Sequence, residues 1–313
     1  MRKTRAHNYI APMEMTFDEF PESKLTADGM KVINADYSLP YSKVEKVQYA
    51  EKSEMALHLN MITPTFTEES INKLPLILYV QGSAWLQQNL ESKIVQLGKF
   101  SERGYIVAIV EYRPTTVAPF PAQIKDAKTA YRYLVSHAEQ YNIDTDKIII
   151  WGDSSGGHTA SMVGLTMTEA KLDDESPSEL PINIKAVINY YGPTDITQMH
   201  NEPSTCDHQT PNSPEGRLIG GRAVYEHTEL ASKTNPMNYV DKHKEIPPFL
   251  IFHGSKDRLV PFGQSVLLFE ALKKAEKEVE FYQLKGADHG NAPFWTPQVL
   301  DIVDNFISEH IKN

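Results

Sequence analysis

Three side chains that lie far apart in the sequence have the chemistry of an activated serine nucleophile. Ser154 stands in the sequence Gly-Asp-Ser-Ser-Gly, which matches the pattern G-x-S-x-G of a serine held on a sharp turn. A serine hydroxyl needs a base to take its proton and an acid to orient that base. Asp257 and His289 follow in the chain order that this turn predicts. We therefore predict a catalytic triad of Ser154, Asp257 and His289, with Asp195 as the alternative acid.

The elements before these residues indicate how they could meet. Apolar runs at 147–151, 248–253 and 279–284 end shortly before the serine, the acid and the histidine, and a helical pattern at 155–169 follows the serine. Glycines on both sides of His289 allow its loop to bring the imidazole towards the serine. Because the carboxyl ends of parallel strands meet at one edge of a sheet, we expect the three side chains to converge there.

The backbone around the serine is expected to hold an oxyanion. Side chains at Gly152 and Gly156 would collide with the neighbouring strand and helix, which explains why both are glycine. A helix that begins at Ser155 directs free N–H groups and its positive end towards the serine. The predicted oxyanion donors are the main-chain N–H groups of Ser155 and Ser83, with Ala84 as a further donor.

Residues near these groups are candidates for the substrate pocket. Gln81 and Gly82 begin the loop that carries the predicted oxyanion donors, and Trp85 follows it as a candidate wall. Phe294 and Trp295 lie shortly after the histidine and are also candidates for substrate binding. Trp85 could instead pack in the core, and the other two aromatic residues could equally start and pack the last helix.

The other reactive side chains have structural interpretations. His253 ends a buried strand and is expected to be packed and hydrogen-bonded, and His158 is expected to pack behind the site. Asp288 is adjacent to the histidine in sequence, so it is poorly placed to orient that ring. Cys206, the single cysteine, lies in a polar loop and is interpreted as an incidental thiol. No metal-ligand spacing is present, so the sequence predicts no metal and no cofactor.

Hydrophobic patterns predict an α/β fold with a mostly parallel central sheet of about eight strands and helices on both faces. Alternating apolar and polar residues at 44–48 and 55–61 are typical of half-buried antiparallel strands. Continuous apolar runs are typical of parallel strands that are covered on both faces. These runs lie at 74–80, 105–110, 147–151, 184–191, 248–253 and 279–284. Helical patterns lie at 122–141, 155–169, 262–275 and 297–312.

The breaks in these patterns predict the domain organisation. Residues 1–40 are mixed in character and interrupted by prolines, and we predict an N-terminal arm there, followed by a single domain at 41–313. The gap at about 195–245 is too long for a simple crossover, so it is predicted to be a lid insertion over the carboxyl edge of the sheet. Ser213 and Pro214 indicate the start of a short helix within it, and the Gly-Gly pair that follows would end that helix.

Composition narrows the classes of partner. The chain has 313 residues and a formal net charge of −10, and no run rich in Lys or Arg occurs. Neither nucleic acid nor an anionic membrane surface is therefore an expected partner. The basic N-terminus is not followed by an apolar segment, and the apolar runs are only as long as strands, so the expected location is the cytoplasm. The sequence does not specify an oligomeric state.

Taken together, the motifs resemble the α/β-hydrolase fold, in particular the esterase and lipase branch related to hormone-sensitive lipase and the bacterial feruloyl and acetyl esterases. The resemblance covers about residues 45–310. Its motifs are Gln81-Gly82-Ser83-Ala84-Trp85, Glu111-Tyr112-Arg113-Pro114, Phe120-Pro121-Ala122, Gly152-Asp153-Ser154-Ser155-Gly156-Gly157-His158, Tyr191-Gly192-Pro193-Thr194-Asp195, His253-Gly254-Ser255-Lys256-Asp257, Val260-Pro261 and Ala287-Asp288-His289-Gly290. The resemblance implies a serine hydrolase acting on a small-molecule carboxylic ester, with acetylated or feruloylated sugars among the candidates.

The chain departs from that branch in the loop before Trp85. The branch has His-Gly-Gly-Gly there, whereas this chain has Gln-Gly-Ser-Ala at 81–84. Side chains in place of the last two glycines restrict φ and narrow the space beside the oxyanion, which favours a small acyl group, from acetyl to short chain. Two alternatives stay open: an amidase or peptidase with the same triad, and a non-catalytic ligand-binding protein on a hydrolase scaffold.

Overall fold

The computed structural model describes residues 11–35, 41–65 and 73–312 of the chain. Its internal contacts separate two units, Met1–Tyr37 and Ser38–Asn313. The backbone at 11–35 forms turns, and no helix or strand occurs in that range. The second unit carries every predicted site residue.

Within the described residues, eight strands form one continuous sheet. In chain order they are β1 (Tyr41–Lys52), β2 (Met55–Thr65), β3 (Leu74–Val80), β4 (Ile106–Val110), β5 (Ile143–Asp153), β6 (Ala186–Tyr190), β7 (Phe249–Gly254) and β8 (Val279–Leu284). Their order across the sheet is β1-β2-β4-β3-β5-β6-β7-β8. The two pairs that involve β2 are antiparallel, and the neighbours from β4 to β8 are parallel. The predicted α/β fold and its mostly parallel sheet are confirmed.

Helices cover both faces of the sheet. Those of the described residues are α1 (Ile94–Ser101), α2 (Ala122–Ser136), α3 (Ala138–Tyr141), α4 (Ser155–Leu165), α5 (Pro214–Leu218), α6 (Thr228–Ser232), α7 (Gly263–Lys274) and α8 (Pro297–His310). Successive residues of a strand point to opposite faces. Accordingly, Leu76 and Leu78 of β3 join the core formed with α2, α4 and α7, while Ile77 and Tyr79 join the core formed with α1 and α8. Both faces of the sheet are therefore buried under packed side chains.

Three helical boundaries differ from the sequence-based expectations. The helix expected at 122–141 is divided at His137 into α2 and α3. Helix α4 ends at Leu165, where the Thr166 hydroxyl donates to a carbonyl of the last turn and competes with continuation of the helix. Helix α1 was not expected, because Gly98 lowers the helical propensity of its short sequence.

The insertion at 195–245 is built from short helical segments rather than from sheet. Helix α5 begins as predicted: the Ser213 Oγ accepts a hydrogen bond from the Gly216 N–H at 2.9 Å, and Pro214 occupies the first turn. Gly220 and its neighbour follow the helix with positive φ values of 84° and 74°. None of the described helices combines the length and hydrophobicity that a bilayer span requires.

Candidate active site

Ser154, His289 and Asp257 meet at the carboxyl edge of the sheet. Ser154 lies between β5 and α4, Asp257 follows β7, and His289 follows β8. The His289 Nε2 is 3.0 Å from the Ser154 Oγ, and its Nδ1 is 2.7 Å from the Asp257 Oδ2. A hydroxyl, an imidazole and a carboxylate are thus linked in one hydrogen-bonded series, which can move a proton off the serine.

The turn that carries Ser154 is strained and closely packed. Ser154 has φ 53° and ψ −127°, a conformation that non-glycine residues rarely adopt, and its N–H donates to the Tyr190 carbonyl at 2.8 Å. A Cβ added to Gly152 would lie 2.2 Å from the carbonyl oxygen of Gly156. A Cβ added to Gly156 would lie 1.9 Å from the carbonyl oxygen of Val80 on β3. The expected collisions with a helix and a strand are both present, so these two positions admit only glycine.

The Asp257 carboxylate has donors on both oxygens. Its Oδ1 accepts from the N–H groups of Leu259 and Val260 at 2.8 and 2.9 Å. Its Oδ2 lies 2.7 Å from His289 and 3.1 Å from the Nε2 of a second histidine, His253. Burial would raise the pKa of Asp257, but the hydrogen bonds from the two histidines outweigh burial and hold the pKa well below its usual range. The carboxylate is therefore ionised and held in one orientation.

The contact of His253 with the acid was missing from the sequence-based prediction. As expected, His253 is fully buried and hydrogen-bonded, with Nδ1 2.7 Å from the Ser265 Oγ and Nε2 3.0 Å from the Val260 carbonyl. The spacing of four residues between this histidine and Asp257 was the available signal. His253 therefore holds the acid, while His289 faces the serine.

The oxyanion donors differ in part from those predicted. Ser155 opens α4, where the first N–H groups have no partner within the helix, and Ala84 lies at a positive φ of 55° in the neighbouring loop. Within the described residues, neither N–H group has a hydrogen-bond acceptor. The Ser83 N–H, in contrast, donates to the Ser155 Oγ at 2.9 Å. The predicted role of Ser83 as an oxyanion donor is corrected, because that hydrogen is already engaged.

A buried tyrosine joins the same loop to α4. The Tyr112 hydroxyl is 2.9 Å from the Ser83 Oγ and 3.3 Å from the Ser155 Oγ. Burial raises the pKa of Tyr112 to about 12, against the lowering effect of the hydrogen bonds to Ser155 and Ser83, so the phenol stays protonated. Ser83 and Ser155 are thus linked through the Tyr112 hydroxyl. Tyr112 lies in one of the motifs that carry the resemblance, Glu111-Tyr112-Arg113-Pro114, but that motif alone did not predict this contact.

Asp153, directly before the serine, fixes the loop from the other end. Its Oδ1 accepts hydrogen bonds from the Tyr79 hydroxyl at 2.7 Å and from the Gly82 N–H at 2.9 Å, and its Oδ2 lies 3.4 Å from the Tyr191 hydroxyl. A Cβ at Gly82 would be 2.4 Å from the Asp153 carbonyl oxygen. The predicted substrate contact of Gly82 is therefore corrected: this residue is a close backbone contact between the loop and the turn.

Three other predicted pocket residues belong to the interior. Gln81 is buried, and its amide donates to the Ser92 Oγ at 2.8 Å. Phe294 packs on the ring of Tyr190 at the end of β6, and Trp295 stacks on Trp151 with ring centroids 5.5 Å apart. None of the predicted contacts Gln81, Phe294 and Trp295 reaches the cavity beside the serine. The alternative interpretation of the two aromatic residues as core residues is the one that the structure bears out.

The alternative acid and the neighbouring aspartate have local roles. Asp195 accepts hydrogen bonds from the N–H and hydroxyl of Thr197 at 3.0 and 2.6 Å, which makes it a turn residue. Asp288 accepts from the His289 N–H at 2.8 Å and pairs with the Arg258 guanidinium. The hydrogen bond from Arg258 lowers the pKa of the exposed Asp288 carboxyl to about 2. Neither acid orients the imidazole.

A small cavity of about 100 Å³ opens beside the serine and the histidine. From the sheet side it is lined by Ala84, Trp85, Ser154, Ser155, Pro193, Leu259, Val260 and His289. From the insertion it is lined by Cys206, His208, Pro214 and Glu215. Trp85 therefore lies in the wall, and the thiol interpreted as incidental stands at the same cavity. In the described residues no cluster of three or more His, Cys, Asp or Glu side chains could hold a metal ion.

His158 lies behind this wall and connects α4 to the insertion. Its ring meets Trp85 edge to face with centroids 5.3 Å apart, and its Nε2 is 2.7 Å from the Thr234 carbonyl. Burial lowers the pKa of His158 to about 4, although the hydrogen bond to Thr234 opposes this shift. The imidazole is therefore neutral at pH 7, and its Nε2–H donates to the carbonyl.

Curated proteins similar to this chain are named as esterases. The chain is 27% identical over 226 residues to the esterase LipC of Mycobacterium tuberculosis, a match that covers 69% of this chain and 53% of that protein. It is 24% identical over 229 residues to the probable isoprenylcysteine alpha-carbonyl methylesterase ICMEL1 of Arabidopsis thaliana, covering 71% of this chain and 46% of that protein. The chain thus spans about half the length of the curated relatives that it matches.

Solved structures agree over more of the chain. A truncated form of a carbohydrate esterase from gut microbiota superposes with a TM-score of 0.75 at 28% identity, covering 89% of this chain and 99% of that one. A bifunctional GH43-CE protein of Bacteroides eggerthii gives a TM-score of 0.72 at 29% identity, covering 88% of this chain and 38% of that one. These likenesses agree with an α/β-hydrolase fold. The model of the family BD-FAE matches residues 61–272, which is more than half of the sequence, and the chain belongs to that family.

Proposed function

We propose that the protein hydrolyses carboxylic esters through an acyl-enzyme at Ser154. The observation that carries the proposal is the unbroken series of short contacts from Asp257 to His289 and from His289 to Ser154, at 2.7 and 3.0 Å. Both distances are within the range for proton transfer between a nucleophile and its base. The names of the esterase relatives support the same class of reaction.

The proposed reaction has two halves, acylation of Ser154 and hydrolysis of the acyl-enzyme, and the same groups act in both. His289 Nε2 accepts the Ser154 proton while Oγ attacks the ester carbonyl, and the resulting oxyanion accepts hydrogen bonds from the N–H groups of Ser155 and Ala84. When the carbon–oxygen bond of the ester breaks, His289 gives its proton to the leaving alcohol. Water then attacks the acyl group by the same route, which releases the acid and restores the serine. Asp257 keeps the Nδ1–H of His289 facing away from the serine throughout.

The preferred acyl group is proposed to be small. The cavity beside the serine is small, about 100 Å³, and Ala84 and Trp85 stand in its wall, which suits an acetyl or propionyl group. The carbohydrate esterase among the structural relatives makes acetylated xylo-oligosaccharides a suitable substrate to compare with simple esters.

The serine assignment is tested by Ser154→Ala. This variant should keep the thermal midpoint of the wild type and lose p-nitrophenyl acetate turnover by about 10⁴- to 10⁶-fold, because the nucleophile is absent. A fluorophosphonate probe should label the wild type at Ser154 and leave the variant unlabelled. Turnover in the variant within tenfold of the wild type would overturn the assignment, and a wild type that never labels would favour a binding protein.

The bond and the acyl length are tested with substrate series. A p-nitrophenyl series from acetate to octanoate should show kcat/KM falling at least tenfold once the chain exceeds the cavity, a loss of about 1.4 kcal/mol of transition-state stabilisation. Esters should be cleaved faster than acetanilide or aminoacyl anilides because an alcohol is the better leaving group. Faster cleavage of the anilides would favour an amidase instead.

A further inference from the structure

Glu215 is a buried carboxylate in the cavity wall that the proposed reaction does not use. It lies in the first turn of α5 on the insertion, and only 3% of its surface is exposed. Its Oε1 accepts a hydrogen bond from the Nδ1 of His208 at 3.0 Å. No donor to its Oε2 occurs among residues 11–35, 41–65 and 73–312, although that oxygen is buried. A buried carboxylate oxygen without a donor is costly, so its presence beside the nucleophile requires an explanation.

Helix position alone does not explain this burial. An acid in the first turn of a helix is favoured by the helix dipole wherever it lies. Glu229 occupies the same position in α6, another five-residue helix of the same insertion, and is exposed to solvent. The helix dipole therefore explains why a glutamate occurs at these positions. It does not explain why the side chain of Glu215 is buried in the wall of the cavity.

The neighbours of Glu215 hold its carboxylate in place. The other ring nitrogen of His208, Nε2, is 2.8 Å from the Ser204 Oγ, and that hydroxyl lies 3.1 Å from the Leu259 carbonyl. A carboxylate can only accept, so His208 donates through Nδ1 whichever charge its ring carries. These hydrogen bonds, from Glu215 through His208 to Ser204, thus orient one oxygen of the carboxylate. The other oxygen, Oε2, can still accept a hydrogen bond.

We propose that the Oε2 of Glu215 accepts a hydrogen bond from a hydroxyl group of the substrate, so that the protein selects small esters that carry a hydroxyl close to the ester bond. This inference rests on the proposed esterase function. One free acceptor matches one hydroxyl donor. A buried ammonium would need acceptors for three N–H groups, whereas the side chains of Trp85, Leu259 and Val260 in the same wall carry no acceptor. An isosteric methyl group would leave the carboxylate unpaired and be rejected.

Two pairs of esters that differ only by a hydroxyl in place of a methyl group test this selection. Ethylene glycol monoacetate against propyl acetate places the hydroxyl on the alcohol side, and ethyl lactate against ethyl isobutyrate places it on the acyl side. Acid release in a pH-stat gives kcat/KM for each ester. The wild type should prefer the hydroxylated member of one pair by at least about tenfold. Ethyl alaninate completes the second series, and a preference for it over ethyl lactate would assign the oxygen to an ammonium and overturn the proposal.

Variants of Glu215 distinguish recognition of the substrate hydroxyl from a purely structural role in the insertion. Glu215→Leu should lower that preference by about tenfold or more and leave kcat/KM for the methyl-bearing ester unchanged or higher, because the unpaired carboxylate is gone. Glu215→Gln keeps the shape of the side chain and should give an intermediate preference. If Glu215→Leu does not fold, the preference measured with Glu215→Gln tests the proposal instead. Glu229→Leu is the matched control and should behave as the wild type.

The outcomes distinguish this inference from the function on which it rests. An equal loss for both members of a pair in Glu215→Leu would show a structural role only, and a wild type without preference in either pair would equally overturn the proposal. In both cases p-nitrophenyl acetate turnover and labelling of Ser154 would still stand. A wild type that hydrolyses no ester and takes no label would overturn both proposals together.

Discussion

The cavity brings together two regions that hold a buried carboxylate in different ways. At the sheet edge, Asp257 has donors on both oxygens, two from backbone N–H groups and two from histidines. On the insertion, Glu215 has a donor on one oxygen and, among the described residues, none on the other. A fully satisfied carboxylate is fixed and can orient its neighbour, whereas one with an unsatisfied oxygen can take a ligand. The difference separates a group that supports chemistry from one suited to selecting a substrate.

The two regions also differ in what holds them together. The sheet edge depends on backbone approaches that admit no side chain, as at Gly152 and Gly156, and on strands whose two faces are buried. The insertion packs around a small apolar cluster of its own, and the carboxylate of Glu215 is held there by a side-chain hydrogen bond from His208. Changes at the sheet edge should therefore affect every substrate, and changes in the insertion should affect some substrates more than others.

Among the changes that compare these two regions, the largest effect is expected from Asp257→Asn. The amide keeps the shape but presents a donor where histidines donate now, so His289 is no longer held in the tautomer that accepts the serine proton. We expect kcat to fall by about 10⁴-fold, by the same factor for hydroxylated and methyl-bearing esters. Steady-state kinetics on both pairs of esters measure this. A loss below tenfold, or a loss confined to one member of a pair, would break the comparison between the two carboxylates.

His158 joins the two regions and gives a pH-dependent prediction. Its pKa is about 4 in the folded protein and 6.5 when unperturbed, so between these values the unfolded chain binds a proton that the folded chain does not. The contribution to stability is present above pH 6.5 and is lost as the pH falls towards 4, by about 3 kcal/mol in total. His158→Gln can still donate to the Thr234 carbonyl but does not titrate.

Denaturant unfolding at a series of pH values between 4 and 7.5 measures this difference. The free energy of unfolding of the wild type should fall more steeply on acidification than that of His158→Gln, by about 3 kcal/mol over the range. A constant difference in stability between the two proteins does not affect the test, because only the difference in how their unfolding free energies change with pH matters. Parallel curves would mean that the ring is solvated, and that α4 and the insertion are not joined there.

Much of the sheet edge could be predicted from the sequence because its signals are local and periodic. Continuous apolar runs located the parallel strands, and the short motifs around Ser154, Asp257 and His289 lie where those strands end. Their convergence then follows from topology. The motifs do not specify the surroundings of each group. The hydrogen bond from the Ser83 N–H to the Ser155 Oγ, for example, depends on the rotamer of Ser155, which the spacing of residues in the sequence does not reveal.

The pocket was predicted less well, for a different physical reason. An aromatic residue near a motif has the same sequence signal whether it lines a cavity or packs behind it, so Trp85 and Trp295 could not be separated without coordinates. The insertion has no periodic pattern beyond the start of α5. The contact of Glu215 with His208, seven residues earlier, therefore left no trace that a sequence pattern could reveal.

The smallest effect is expected when the insertion is modified chemically and turnover at the sheet edge is measured. Cys206 is the single cysteine of the chain, is exposed, and lines the same cavity as Ser154. Alkylation with N-ethylmaleimide should lower kcat/KM for p-nitrophenyl acetate about tenfold by crowding the cavity, whereas the small methylthio adduct should change it less than about threefold. Cys206→Ser should resist both reagents. Full activity in stoichiometrically alkylated protein would mean that the insertion does not form this wall, and the case for Glu215 as a selector would fail with it.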